Sequence, residues 1–178
     1  MPRMSSKIAL HAGPAVGFDQ PFEMLAACHE RVRRSLDLLQ RLQAHVARHG
    51  VDAQARDAAA DVLRYFDLAG PAHHEDEERH VLPRLRQQGL AELAACLQAD
   101  HAEMTRLWAA LRPPLLAWAA GKAADLPDDL LHSYTTIYAA HMPLEEEQAF
   151  PSAAANLDEA TLKFIGVEMT ARRQGSRQ

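Results

Sequence analysis

The chain has 178 residues, of which 48% are hydrophobic and 24% charged, and a formal net charge of −5. That length and balance suit one globular domain with a sizeable core and exclude a disordered chain. The acidic balance, with no Lys/Arg run longer than a pair, argues against nucleic acid as a partner.

No stretch reaches the roughly 18–20 apolar residues that a membrane span needs, so no membrane role is expected. Met1 to Gly17 lacks the apolar run of a secretory signal. Cys28 and Cys96 are too few for a disulfide framework, which makes the cytoplasm the expected location. Aromatic residues are scarce and Ala and Leu abundant, a composition that favours helices over sheets.

Residues 1–18 contain Gly13, Pro14 and Gly17 and show no periodicity, so an irregular N-terminal arm is expected. Phe22, Leu25, Val32, Leu36, Leu39, Leu42 and Val46 then recur at helical spacing and predict a helix from about Pro21 to Arg48, stopped by Gly50. Asp52 can cap a second helix from Ala53 towards Gln88, which Gly70-Pro71 should kink or break and Gly89 should end. A third helix is expected from Leu90 to Leu111, interrupted by Pro113-Pro114 and followed by a short piece from Leu115 to Ala120. The fourth starts near Pro127 and runs to about Phe150. A shorter amphipathic helix, Asp158 to Arg173, aligns Leu162, Ile165 and Met169. Four long helices with short links predict an all-α fold, an up-down four-helix bundle with a short C-terminal helix. The boundaries follow as an arm over 1–18, a bundle over 19–151, and a C-terminal helix and tail over 152–178.

One motif occurs twice. His73 is followed four residues later by Glu77 and six further on by Pro83; His141, Glu145 and Pro151 repeat that spacing. Residues four apart share a helix face, so each copy sets an imidazole beside a carboxylate. Two such helices facing each other can hold a pair of metal ions bridged by Glu77 and Glu145. At about 1.5 Å per residue from each turn, antiparallel packing brings His29, His73, His101 and His141 to nearly one level. Buried imidazoles and carboxylates are costly unless paired or metal-bound, which favours a shared site over four unrelated core histidines.

The other candidates are weaker. His11, His45, His49 and His132 lie away from that level and are read as surface or structural, and His80 as a second layer or surface. Glu75, Asp76 and Glu78 should point outward as a solvated acidic face. His74 cannot point with His73 but can reach the flank of a central site. If it ligates, the set becomes His29, His73, His74, His101 and His141 as terminal ligands with Glu77 and Glu145 bridging. Mixed imidazole and carboxylate ligation in a helical bundle suits iron or manganese better than structural zinc, which is four-coordinate and often uses Cys. Cys28 reads as a small packed apolar residue.

These residues resemble the hemerythrin-like family, the HHE cation-binding domain. The matching elements are His29, the run His73-His74 to Glu77 with Leu82-Pro83, Asp100-His101, and His141 to Glu145 with Phe150-Pro151. The resemblance covers roughly residues 20–151. It implies a four-helix bundle around two non-haem iron ions in an Fe–O–Fe type centre, with manganese and zinc as lesser alternatives. The implied activity is binding or sensing of O₂, nitric oxide or redox state, or iron handling.

Two departures stand out. Thr105 occupies the position of a second helix-three His in the oxygen carriers, and Glu145, four after His141, replaces their Asp five after it. That pattern is nearer to the bacterial and iron-sensing branches. No counterpart of the cysteine-containing domain of the iron–sulfur-repair members is expected.

The leading reading is a binding protein for O₂ or nitric oxide, with Leu25, Val32, Leu97, Leu144 and Tyr138 as apolar lining. Tyr138 is read first as a packed core residue and second as a hydrogen-bond donor to a bound oxygen species. An enzyme that activates O₂, peroxide or nitric oxide is the alternative, and an interaction module with an incidental metal the third. The sequence identifies no protein partner.

Overall fold

The computed structural model describes residues 17–175, and all regular structure among them is helical. Most of the expected arm, His11 included, lies outside these residues. Among the described residues no helix is long and apolar enough to cross a membrane.

The first helix, α1 (Pro21–His49), opens on a proline that needs no N–H partner in the first turn. It buries Leu25, Val32, Leu36, Leu39 and Leu42 along one stripe. Gly50 stops it at φ 75°, a left-handed conformation that glycine adopts without steric cost, and donates its N–H to the Val46 carbonyl. Asp52 then caps α2 (Ala53–Arg64) by accepting the Ala55 N–H at 2.9 Å.

The second helical rod does not break at Gly70-Pro71. A wide turn over Tyr65–Ala69, closed by the Gly70 N–H on the Tyr65 carbonyl five residues back, absorbs the proline. The extra residue relieves the clash between the Pro71 ring and the preceding carbonyl, and the chain continues as α3 (Gly70–His80) and α4 (Leu82–Gln87). The same device returns later. Glu145–Ala149 form a second wide turn between α6 (Asp128–Leu144) and α7 (Phe150–Ala154), ahead of Pro151.

The expected interruption at Pro113-Pro114 is also absent: α5 runs unbroken over Ala91–Ala119. The two prolines leave the carbonyls of Ala109 and Ala110 without a helical donor, and both residues are exposed, so water can take those bonds. Meanwhile Leu111, Leu115 and Trp118 are fully buried on the opposite face and hold the helix to the core.

The C-terminal helix α8 (Glu159–Gly175) packs on α1 and α3, with Ile165 and Met169 buried and Leu162 half-buried. Gly166 sits where a Cβ would run into the Phe18 carbonyl. Two apolar clusters fill the bundle. One gathers Val32, Phe66, Met104, Leu111, Tyr134 and Tyr138; the other gathers Leu25, Val81, Leu97, Phe150, Ile165 and Met169. Buried histidines and glutamates from α1, α3, α5, α6 and the wide turn over Glu145–Ala149 form a polar band between the two.

Candidate metal centre

Eight polar or charged residues are buried among those described: His29, His73, Asp76, Glu77, His80, His101, His141 and Glu145. Six of them converge in the band between the clusters. His29 Nε2 lies 3.2 Å from Glu145 Oε2, and His73 Nε2 lies 2.9 Å from Glu77 Oε1. His141 Nε2 is 3.0 Å from Glu145 Oε1, and His101 Nε2 is 3.4 Å from Glu77 Oε2. Donors about 2.1 Å from a common ion and at right angles to each other would stand about 3 Å apart, the spacing seen here.

The close approaches are not hydrogen bonds. Both oxygens of Glu77 and Glu145 and both ring nitrogens of His73 are buried without a hydrogen-bond partner. A buried carboxylate left in that state costs several kcal/mol. The atoms point at shared space rather than at each other.

The outer nitrogens explain the tautomers. His29 Nδ1 lies 2.8 Å from Glu146 Oε1, which also accepts from Arg33 Nη2 at 2.7 Å. His101 Nδ1 lies 3.2 Å from Glu78 Oε1, and His141 Nδ1 lies 3.0 Å from Asp100 Oδ2. An ionised carboxylate only accepts, so each Nδ1 carries the proton and, in the neutral ring, leaves Nε2 as a lone pair. His101 Nε2 and His141 Nε2 then face each other at 3.2 Å with no proton between them. Carboxylates that orient imidazoles in this way are the usual outer layer of a metal site.

Electrostatics agree. Burial pushes the Glu77 carboxyl well above the usual range, and the neighbouring Glu145 pushes it further. Burial also raises Glu145, but the imidazoles of His101, His141 and His29 close beside it outweigh burial and hold its carboxyl well below the usual range. Burial lowers His141 while Glu145 and Asp100 overcome it, leaving that ring at about 9. Without an added positive charge this cage cannot keep both glutamates ionised and all the imidazoles neutral.

The structure brings together every residue singled out from the sequence. His29, His73, Glu77 and Glu145 form one group whose donor atoms can meet a single ion; His74, Glu77 and His101 form a second, and His101, His141 and Glu145 a third. The last two share His101, so five imidazoles surround two glutamates. His74, the ambiguous residue, stacks on His101 with ring centroids 4.2 Å apart and planes 10° apart. Burial and the rings of His101 and His73 keep it well below the ordinary histidine range, which favours the neutral, ligating form. Neither cysteine belongs to the cage: Cys28 Sγ contacts Met24 Sδ and Cys96 is exposed.

One sequence expectation changes. Asp76 is not on a solvated face; it is fully buried and clamped by Arg172 Nε at 2.7 Å and Arg173 Nη1 at 2.6 Å. Glu78 is half exposed as expected but turns one oxygen inward to His101. Glu146 went unremarked in sequence, although its place directly after Glu145 is the only signal available. His80 is buried against α8, with Nε2 3.1 Å from Glu168. Of the proposed lining, Leu25, Val32, Leu97 and Tyr138 are buried and Leu144 is half-buried. Tyr138 packs against Phe66 and Tyr134, as a core tyrosine does.

Fold and site together define a helical-bundle protein with a buried cage of histidines and glutamates suited to a metal cation. The model of the hemerythrin HHE cation-binding domain matches residues 20–153, and the chain belongs to that family. An uncharacterised protein of Haemophilus influenzae is 30% identical over 163 residues, covering 88% of this chain and 92% of that one.

Proposed function

We propose that this protein holds two non-haem iron ions and binds or senses O₂ or nitric oxide, or handles iron, in the cytoplasm. His29 and His73 would hold one ion and His74, His101 and His141 the other, with Glu77 and Glu145 bridging. The observation that carries this reading is the set of Nδ1–carboxylate contacts from Glu146, Glu78 and Asp100, which aim three Nε2 lone pairs at two glutamates that no hydrogen bond satisfies. Imidazole and carboxylate donors without thiolate favour iron over zinc.

The two halves are unequal. Four side chains serve the first and five the second, so a small ligand has its place on the His29–His73 side. Iron held there would supply reversible binding of a diatomic molecule; the protein's part would be to keep that side dry. Leu25 and Phe150 are buried in the apolar cluster next to it, with the Phe150 ring 5.6 Å from that of His29.

An enzyme that activates O₂, peroxide or nitric oxide is the second reading, favoured by a cavity of ≈ 410 Å³, large enough for an organic molecule. That cavity touches His74 and His101 but neither His29 nor His73, so it opens on the crowded half. Binding therefore stands ahead of turnover. The test is metal content of wild type, His73→Ala and His74→Ala. The reading expects about two irons in wild type and about one in each of His73→Ala and His74→Ala, because each substitution removes a terminal ligand of a different ion. Full iron content in all three would refute it.

A further inference from the structure

The seven cage residues are not equally shielded. His29, His73, Glu77, His101, His141 and Glu145 are each at most 4% exposed, whereas His74 is partly exposed. What exposes it is the ≈ 410 Å³ cavity between α3 and α5, which has His74 and His101 as its floor and Thr105 and Ala102 as exposed wall. Thr105 stands one helical turn beyond His101 and spends its hydroxyl on the His101 carbonyl at 2.9 Å, so nothing larger than a threonine closes that side.

The cavity has the size and charge for a hydrated cation. A divalent ion with about six waters takes roughly 180 Å³ at about 30 Å³ per water, well within the space available. No Lys or Arg lines it, and Glu78 reaches from its mouth, 44% exposed, to the Nδ1 of His101 on its floor. The neighbouring cavity beside Ala72 is lined by Arg31, Arg34, Arg64 and Arg173, which repel a cation, and it touches no cage residue.

We propose that metal ions reach and leave the centre through the cavity between α3 and α5, with Glu78 collecting the ion at the mouth and His74 closing behind it as the last ligand. This rests on the two-iron reading of the site. It gives the exchange of His74 for a helix-three ligand at Thr105 a consequence: the threonine leaves a passage, and the ligand that replaces the missing imidazole stands at its end. Filling the passage from either wall then forces the ion to wait for a local opening of the helices, a rarer event than rotation of one side chain.

The test is the rate of Fe²⁺ uptake by the iron-free protein under anaerobic conditions, and of its release to a chelator. Thr105→Phe and Ala102→Trp fill the passage from two exposed positions, and Ser35→Phe fills the arginine-lined cavity as a control. Uptake and release should both slow by about tenfold or more in the two plugged variants, with about two irons still bound at the end, because each ion now needs a helix opening. Ser35→Phe should keep the wild-type rates. Wild-type rates in either plugged variant that still binds iron, or equal slowing in the control, would overturn the route. Failure of the wild type itself to take up iron would instead remove the two-iron reading beneath it.

Discussion

The clamp on Asp76 gives the sharpest energetic prediction. Asp76 is fully buried, one residue before Glu77, and its two oxygens accept from Arg172 at 2.7 Å and Arg173 at 2.6 Å. Both arginines belong to α8, beyond the matched family domain, so this carboxylate ties the C-terminal helix to the helix that carries His73, His74 and Glu77. Asp76→Asn keeps the shape and removes the charge. Breaking a buried pair costs about 3–5 kcal/mol, and because Arg172 and Arg173 retain 12% and 26% exposure they can partly rehydrate, which sets about 2–4 kcal/mol here. At roughly 2–4 °C per kcal/mol for a chain of this size, a 3 kcal/mol loss lowers Tm by about 6–12 °C. Urea and thermal unfolding measure the total, and amide exchange along α8 should speed up more than along α5. A change below about 1 kcal/mol with unaltered α8 protection would refute the clamp, since an exposed pair contributes no more than that.

Glu146→Ala frees the Nδ1 of His29, and iron affinity measured by chelator competition should fall about 10–100-fold with the iron ratio preserved at saturation. Pro113→Ala restores an N–H donor to an exposed turn of α5 and should stabilise the protein by about 1–2 kcal/mol in urea unfolding, since an interior proline costs up to about 3 kcal/mol. Asp67 supplies a pH test away from the cage. Burial raises its carboxyl, but bonds from Arg112 and Trp108 outweigh that and hold it below 3.8. A carboxyl lowered on folding stabilises the protein fully above its unfolded value and loses that contribution as pH falls through the folded one. Asp67→Asn should therefore narrow its stability gap to wild type as pH drops from about 5 to 2, read from urea midpoints. A gap that widens towards acid would contradict the sign.

The cage residues were legible because they obey a simple period. A His and a Glu four apart must share a helix face, and the helix lengths between turns put His29, His73, His101 and His141 on one level. What the sequence hid depends on side-chain reach and on long-range contacts. Asp76 is two positions of helical rotation away from facing His74 and reads as solvent-facing; its burial is decided by α8, which meets it nearly a hundred residues later in sequence. Glu146 sits in the wide turn over Glu145–Ala149 and reaches His29 across the bundle, from 117 residues away in sequence. The prolines misled in a different way. Pro71 and Pro113 break an isolated helix, but a wide turn before the first and exposed carbonyls behind the second remove part of the cost. Spacing alone leaves His74 open, because what sets it beside the cage is a stacking contact with His101 on another helix.

The central claim is a two-iron centre with one position open to a small ligand. Its most direct test is metal analysis combined with the visible spectrum of the anaerobic ferrous protein, then after exposure to air, then after O₂ is removed. The account predicts about two irons per chain, a colourless ferrous form, and a visible charge-transfer band that appears in air and fades when O₂ is withdrawn. Two zinc ions with no visible spectrum in any state would contradict it.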